Sequence, residues 1–266
     1  MASKLQKLNV KDEVVTEEVD EVFELLAGYI DDEGILQKTF TIREVNGNDE
    51  EAIYNSNKKA NGASVITLLL ERCVISIGNI TRKSAGSTEA WRKVIQGLLV
   101  GDRDYIVLKL RELSVGDEFE VSHTCPNPEC KAELTSFVNI DEISIEPFKG
   151  DYTIPFDLPK GYKDKSGNVH KEGILRLPNG LDGEILGPIA KKNIAKGTSM
   201  MLTRICTFAD GTIITQDVMS SLTVRDRRYL SDILKDNVFG VDTTVDITCS
   251  DCGETFKATF NPANFI

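Results

Sequence analysis

Apolar positions near the N-terminus recur with helical spacing. Five residues share this spacing: Val19, Val22, Phe23, Leu26 and Ile30. They follow acidic residues at Glu17 and Glu18, so the pattern predicts an amphipathic helix within an N-terminal arm over residues 1–35. The first 15 residues are polar and are expected to be loose. The apolar stripe of such a helix packs against its own domain or docks a partner, and the pattern leaves both open.

Strand patterns lie further along the chain at matching places. Alternating apolar residues from Leu36 to Val45 and from Ile174 to Leu177 each predict a strand that runs into an Asn-Gly turn. One or two helices are expected after each turn. A further helix is predicted to open at Asp102 and at Asp226, where the carboxylate is placed to cap the first turn. This mixture of elements predicts an α+β fold.

The chain also repeats itself. Residues 98–125 align with residues 222–249 at a constant offset of 124, without a gap and with ten identical pairs. The identical pairs include Asp102/Asp226, Arg103/Arg227 and Cys125/Cys249. Upstream the offset becomes 133, where Cys73 aligns with Cys206. The length difference of nine residues is expected in the loop from Gly78 to Thr88, because loops tolerate insertion.

This self-similarity predicts tandem duplicated repeats with a pseudo-twofold relation. The predicted units follow each other along the chain: the arm over 1–35, a first repeat over 36–147, a connection over 148–172 and a second repeat over 173–266. The connection is assigned because residues 148–172 are polar and contain turn formers. Each repeat is expected to end in a zinc-knuckle β-hairpin.

Two cysteine pairs stand at equivalent places in the repeats. Cys125 and Cys130 form a C-x₄-C pair, Cys249 and Cys252 form a C-x₂-C pair, and alternating apolar residues on both sides predict strand, turn and strand. A C-x₂-C turn supplies half of a tetrahedral site, whereas C-x₄-C is less standard alone. Because the pairs are equivalent, we expect all four thiolates to bind one structural zinc per chain.

Other interpretations of the cysteines stay open. The four thiols are alternatively buried core groups, or Cys249 and Cys252 form a redox-active pair, although that motif normally begins a helix and strand residues follow here. His123 precedes the first pair, but its repeat partner is an isoleucine, so it is expected on a strand face. Cys73 and Cys206 lie in apolar runs and are assigned to core packing.

Composition narrows the class of function. Forty-two acidic residues against 31 basic ones give a net charge of -11, which argues against nucleic acid as the main partner. Neither a signal peptide nor an apolar run long enough for a membrane span is visible, so the protein is expected to be soluble when made in the cytoplasm. In that reducing compartment, closely paired cysteines favour metal binding over disulfides.

No catalytic centre is visible in the sequence. Glycine-rich phosphate loops and histidine-rich metal motifs are missing, and the two histidines, His123 and His170, are far apart. Chance pairing among the carboxylates stays open. The repeated Asp-Arg-x-Tyr at residues 102–105 and 226–229 is interpreted as structural, with recognition as the alternative. We therefore predict no enzyme, no catalytic residues and no small-molecule substrate.

Two segments resemble a known family. The stretch from Gly101 to Asp117, which opens Gly-Asp-Arg-Asp-Tyr, and the following Cys125-Pro-Asn-Pro-Glu-Cys130 resemble the T4-type baseplate protein family of contractile-tailed phages and related injection systems. The strands with an Asn-Gly pair at 40–47 and 174–180 are also similar to that family. The resemblance spans residues 36–266 and is weaker in the second repeat, where Asp-Ile-Leu-Lys at 232–235 replaces Leu-Lys-Leu-Arg.

The resemblance implies a structural component of the baseplate hub that acts through contacts with other baseplate and tail proteins. The implied location is the virion tail baseplate or a contractile injection particle, after synthesis in the bacterial host cytoplasm. A transient chaperone of hub assembly is the alternative. A zinc-ribbon adaptor for nucleic acid and a redox or hydrolytic enzyme are the hypotheses from other classes.

Overall fold

The computed structural model of the protein describes residues 21–56 and 61–260. The predicted loose segment, together with Glu17, Glu18 and Val19, lies outside these residues. Helices and strands are mixed throughout, in agreement with the predicted α+β class. The described chain contains two antiparallel sheets with their own helices, and three two-stranded ladders.

The first sheet has the order β1-β2-β3-β4, and all of its neighbours are antiparallel. Its strands are β1 (Val22–Ile30), β2 (Leu36–Ile42), β3 (Val74–Ile77) and β4 (Ile80–Thr81). Four helices belong to this part of the chain: α1 (Gly47–Ser56), α2 (Gly62–Cys73), α3 (Thr88–Gly97) and α4 (Val100–Val115).

The predicted N-terminal helix is wrong over the described residues, because Val22–Ile30 is strand β1. The pairing of β1 with β2 shifts between Glu24 and Tyr29, and Gly28 in this bulge has φ +99°. A bulge changes which side chains face the core, so the alternation expected of a strand is broken and the spacing imitates a helix. Two residues of the supposed apolar stripe, Val22 and Ile30, are exposed.

The second sheet has the order β10-β9-β8. Its strands are β8 (Thr153–Lys163), β9 (Val169–Arg176) and β10 (Cys206–Phe208), and its helices are α5 (Gly180–Lys192), α6 (Ile194–Ile205), α7 (Gln216–Ser221) and α8 (Val224–Asp236). The predicted turn-rich connection over 148–172 is therefore mostly a β-hairpin. Its strand β8 lies at a sheet edge, where Pro155 and Pro159 are tolerated and outward positions stay polar.

The cysteine pairs lie on two further hairpins. The ladders are formed by β5 (Glu118–Thr124) with β6 (Glu133–Asn139), β12 (Thr244–Thr248) with β13 (Thr255–Thr259), and β7 (Ile145–Glu146) with β11 (Gly240–Val241). A 3₁₀ turn over Ile140–Glu142 follows β6. A strand precedes and another strand follows the turn that carries each cysteine pair, as predicted.

Two buried apolar clusters form the core. The first contains Phe40, Trp91 and Leu108, and the second contains Phe156, Phe208 and Leu230. Phe260, which follows β13, is buried in the first cluster, and Val245 of β12 packs against it. The second cysteine hairpin therefore packs on the core of the N-terminal half. Cys73 lies in the first cluster and Cys206 in the second, which confirms their assignment to core packing.

Each Asn-Gly pair lies where a strand leads into a helix, as predicted, but the predicted aspartate caps are wrong. Asn179 is the N-cap of α5, in a capping box with Asp182, so the second Asn-Gly pair forms the start of the helix that follows the strand. Asp102 caps nothing: it accepts hydrogen bonds from the backbone N–H groups of Ala27 (3.0 Å) and Gly28 (3.1 Å), while α4 has no side-chain cap. Burial raises the pKa of this carboxyl to about 6.

The same contact occurs in the second half. Asp226 accepts a hydrogen bond from the backbone N–H of Lys160 (2.7 Å) beside the bulge of β8, and Thr223 caps helix α8. The neighbouring arginines also correspond. Arg103 donates to Thr67 Oγ1 (2.8 Å) and the Ile95 carbonyl (2.7 Å), whereas Arg227 donates to Ser199 Oγ (2.6 Å). In each half, the aspartate attaches an edge strand to the helix that carries it. The arginine attaches a second helix to the same helix.

The predicted alignment of the helices is shifted by one residue. Helices α2 and α6 both have 12 residues and begin after a capping asparagine, at Asn61 and Asn193, so their offset is 132. Cys73 ends α2, but Cys206 begins β10. The predicted insertion loop accounts for only part of the length difference, because α3 has 10 residues and α7 has six.

A buried aspartate lies between two arginines in each half. Asp49 is fully buried and lies 2.7 Å from both Arg43 and Arg72. Asp182 is equally buried and lies 2.7 Å from Arg176 and 2.8 Å from Arg204. Although burial opposes ionisation, hydrogen bonds from the arginines and from backbone N–H groups hold the pKa of both carboxyls below the usual value.

Replacing Asp49 with Asn is expected to lower the free energy of unfolding by about 3 kcal/mol at pH 7, because two arginines lose their anion. Since the pKa of Asp49 is depressed in the folded state, its stabilisation is present above its unfolded pKa and is lost as the pH falls through its folded pKa. Denaturant titrations should therefore show that the unchanged protein and Asp49→Asn differ less in their free energy of unfolding at pH 3 than at pH 7. The exposed neighbour Glu50→Gln is the control, expected within about 0.5 kcal/mol of the unchanged protein.

Candidate metal centre

Four cysteine sulfurs come together where the two hairpin turns meet. The Sγ atoms of Cys125, Cys130, Cys249 and Cys252 all lie within 4.8 Å of one another. Two close approaches cross between the hairpins: Cys125 Sγ lies 3.7 Å from Cys252 Sγ, and Cys130 Sγ lies 3.8 Å from Cys249 Sγ. The structure thus joins two pairs that 118 residues separate in the sequence.

Backbone hydrogen bonds shape both turns. In the first, the N–H of Cys125 donates to the Ala132 carbonyl (2.9 Å) and that of Cys130 donates to the Asn127 carbonyl (3.1 Å). In the second, the N–H of Cys249 donates to the Glu254 carbonyl (2.8 Å). The residue after each second cysteine has positive φ, with Lys131 at 51° and Gly253 at 76°. The shorter turn uses glycine for this left-handed position.

The spacing of the sulfurs fits a tetrahedral metal ion. Metal–sulfur bonds of about 2.3 Å at tetrahedral angles place sulfurs about 3.8 Å apart. Two pairs of sulfurs between the hairpins, at 3.7 and 3.8 Å, match this value, and the whole group lies within 4.8 Å. All six cysteines are free thiols, and 3.7 Å is far beyond a disulfide bond of about 2.05 Å. The four residues are therefore close enough to bind one metal ion.

The thiols differ in how readily they ionise. Backbone N–H groups of Cys252 and Asp251 lower the pKa of Cys249 to about 7. Burial raises the pKa of Cys125 to about 12, and the neighbouring thiols add to the effect. Several thiolates at this separation repel one another, so full ionisation requires a cation among them. Cys125 and Cys249 are buried, Cys130 is half-buried and Cys252 is exposed, which leaves one side of the cluster open to solvent.

The histidines lie elsewhere. His123 is on β5, as predicted, with its ring 5.4 Å from that of Phe256. Sequence reasoning missed the surroundings of His170, whose Nδ1 lies 2.5 Å from Asp210 and whose Nε2 lies 3.4 Å from Asp164. These hydrogen bonds, led by the one to Asp210, raise the pKa of His170. The sequence has no motif that would reveal this group of three side chains, because Asp210 is 40 residues from His170.

Within residues 21–56 and 61–260, the four cysteines are the one group of three or more histidine, cysteine or acidic side chains that converges in this way. The same residues contain no helix with the length and apolar character needed to cross a membrane. The fold and the cluster together define an α+β protein in which two hairpins meet at a candidate metal centre.

Comparison with known families identifies the group to which this chain belongs. Residues 29–177 match the family described as T4 bacteriophage base plate protein, and this match covers more than half of the chain. The protein belongs to that family. The matched residues include Cys125 and Cys130 and end before Cys249 and Cys252. No curated protein and no solved structure matches the chain.

Purified protein is expected to contain about one tightly bound metal ion per chain, because four sulfurs converge at one point. Cys249→Ser should lower both the metal content, measured by plasma mass spectrometry, and the melting temperature. Acidification should release the metal as protons compete for the thiolates. Cys206→Ala, which removes a buried cysteine of the second core, is the control and should retain the metal. Two ions per chain, or an unchanged content in Cys249→Ser, would contradict a shared site.

Proposed function

We propose that this protein is a structural component of a phage-type contractile tail baseplate, in the hub region, and acts through contacts with other tail proteins. Membership of the T4 base plate family is the observation that carries this proposal. It also supports a location in the virion tail baseplate. In this proposal the metal bound by the four cysteines is structural rather than catalytic, because four thiolates leave a tetrahedral ion no open position for a substrate.

The metal in this proposal is a structural zinc, one per chain. Zinc accepts tetrahedral thiolate sets, and the crossed sulfur distances of 3.7 and 3.8 Å suit it. The cluster joins the hairpin of residues 118–139 to the hairpin of residues 244–259. Since Phe260 behind the second hairpin is buried in the first core, the metal and the core hold the same two parts of the chain together.

We further propose that the two halves are tandem repeats with a pseudo-twofold relation. Three contacts recur in support: an aspartate at a strand bulge, an arginine on a helix hydroxyl, and an aspartate between two arginines. Glycines with similar φ also recur after the long helices, Gly116 at 104° and Gly240 at 106°. In this proposal the second repeat begins with β8 at Thr153, earlier than its predicted start at residue 173.

A transient chaperone of hub assembly is the second candidate. Family membership supports it equally, because an assembly factor and a resident subunit both bind baseplate proteins. The nucleic-acid adaptor is less favoured by the structure: exposed acidic residues Glu129, Asp251 and Glu254 stand beside the cysteines, where an adaptor needs cations.

Mass spectrometry of purified tail particles distinguishes a subunit from a chaperone. A structural component is expected at fixed stoichiometry with other baseplate proteins in mature particles, and deletion of its gene should leave particles without baseplates. Absence from mature particles together with failed assembly in the deletion would favour the chaperone. Normal baseplates in the deletion strain would reject both. Complementation with unchanged protein is the control.

A further inference from the structure

An open cleft lies between the two cysteine hairpins. Its volume is about 470 Å³, and it is lined by the consecutive residues 136–138 of β6 and 244–248 of β12. Successive side chains of a strand point to opposite faces. A cavity lined by consecutive residues therefore faces the edge of the strand, where the backbone is accessible, rather than one side-chain face.

Both edges offer backbone groups for pairing. Among the described residues, β6 pairs only with β5, and β12 pairs only with β13. The bonds Cys249 N–H to Glu254 carbonyl and Phe260 N–H to Thr243 carbonyl place the odd-numbered residues of β12 toward β13. The backbone groups of Asp246 and Thr248 therefore point to the other side, into the cleft, whereas the N–H of Thr244 on that side already donates to Asp242 Oδ1 (2.9 Å).

The same alternation applies to β6. Cys125 N–H donates to the Ala132 carbonyl and Ile140 N–H donates to the Asp117 carbonyl, so the even-numbered residues of β6 face β5. The backbone of Phe137, between Ser136 and Val138, then faces the cleft. Unpaired strand edges are templates for another strand, and proteins bind extended peptides by this route.

The two edges are held at both ends. At one end, Asp242 N–H donates to the Ser144 carbonyl (2.9 Å) next to the β7–β11 ladder. At the other end, Cys130 Sγ and Cys249 Sγ lie 3.8 Å apart. Since β6 leads away from the cysteines and β12 leads toward them, the edges run antiparallel. The opening between them is a fixed slot about as long as the five residues of β12, roughly 16 Å.

The charge of the cleft defines the kind of occupant. Three acidic residues, Glu142, Asp242 and Asp246, line it with one basic residue, Lys257. The ring of Phe137 at its rim is 73% exposed. A lysine or arginine side chain of an occupant would contact the carboxylates that line this slot and the aromatic ring at its rim. Both kinds of group bind cations favourably. A neutral or acidic strand gains neither interaction.

We propose that the cleft between β6 and β12 binds a short, extended, lysine- or arginine-rich segment of another tail protein by strand addition. The proposal rests on the proposed function only for the class of partner. The occupant adds a strand between the hairpins and pairs with the backbone of Asp246 and Phe137. The metal cluster then acts indirectly, by fixing the distance between the edges.

The first test measures binding of the full-length, metal-loaded protein to a labelled peptide, acetyl-Lys-Val-Lys-Thr-Lys-Val-Lys-amide, by fluorescence anisotropy. Two control peptides separate charge from backbone pairing. One replaces each Lys with Glu, and the other carries N-methyl groups on alternate backbone amides, which keeps the charge but removes donors. Each control is expected to bind at least about tenfold more weakly. Equal binding of the methylated peptide, or no binding of the basic peptide, would overturn the proposal.

A matched pair of variants tests the edge itself. Asp246→Ala removes one charge and keeps the N–H, whereas Asp246→Pro also removes the N–H that faces the cleft. We expect Asp246→Pro to bind the basic peptide about tenfold more weakly than Asp246→Ala, with metal content unchanged in both. Equal affinities for the two variants would reject strand addition. If Asp246→Pro loses its metal, the methylated peptide remains the decisive comparison.

The partner is identified by photocrosslinking in assembled particles, with benzoylphenylalanine in place of Phe137. A crosslink to a lysine- or arginine-rich segment of a different tail protein supports the proposal. A crosslink to a second copy of this chain, or to its own residues 1–20 or 261–266, overturns the assigned occupant. Absence of this protein from particles contradicts the proposed function and leaves the peptide results intact, so the two failures are distinguishable.

Discussion

The convergence of four thiol sulfurs within 4.8 Å is the constraint on which the arrangement of the cysteine hairpins depends. Two-stranded hairpins have too little buried surface to be stable alone. Here each hairpin gains a partner, because the sulfurs meet at the turns and Val121, Val138 and Phe260 enter the first apolar cluster. A metal ion at the sulfurs would close a loop of more than 100 residues, and the entropy lost by the unfolded chain in such a closure favours the folded state.

Within each half, buried polar groups set the positions of the elements. Asp102 holds the bulge of β1, and Asp49 bridges arginines at the end of β2 and in α2. The free energy of such contacts is modest, but an unpaired buried charge is unfavourable, so alternative packings are disfavoured. The same types of contact occur at Asp226 and Asp182. Their recurrence gives a structural reason why these aspartates and arginines occur at matching places in both halves.

Sequence reasoning succeeded where the determining signal was local and failed where it depended on pairing. The two cysteine hairpins and β2 were predictable because cysteine spacing and apolar alternation are visible within about ten residues. The bulge at Gly28 breaks the alternation of β1, so the strand was predicted as a helix. Asp102, which binds this bulge, lies 74 residues from Gly28, so the aspartate was interpreted as a helix cap. Prolines and outward polar residues made the edge strand β8 resemble a connection. The convergence of Cys125 with Cys249 was inferred only because the predicted repeat placed them at equivalent positions, whereas no sequence pattern linked His170 to Asp210.

The candidate metal centre and the cleft beside it are the features on which the proposed binding of another tail protein depends. Two strand edges that are free to move adapt to many partners and lose entropy on binding, whereas edges fixed at both ends have already lost that entropy during folding. The β7–β11 ladder fixes one end of the cleft, and the cysteine cluster fixes the other. Preorganisation of this kind favours binding of a short segment, because few residues must supply the whole free energy of association. In the proposed arrangement a metal ion at the four cysteines would fix the geometry for recognition, and the acidic lining would select among the strands that fit.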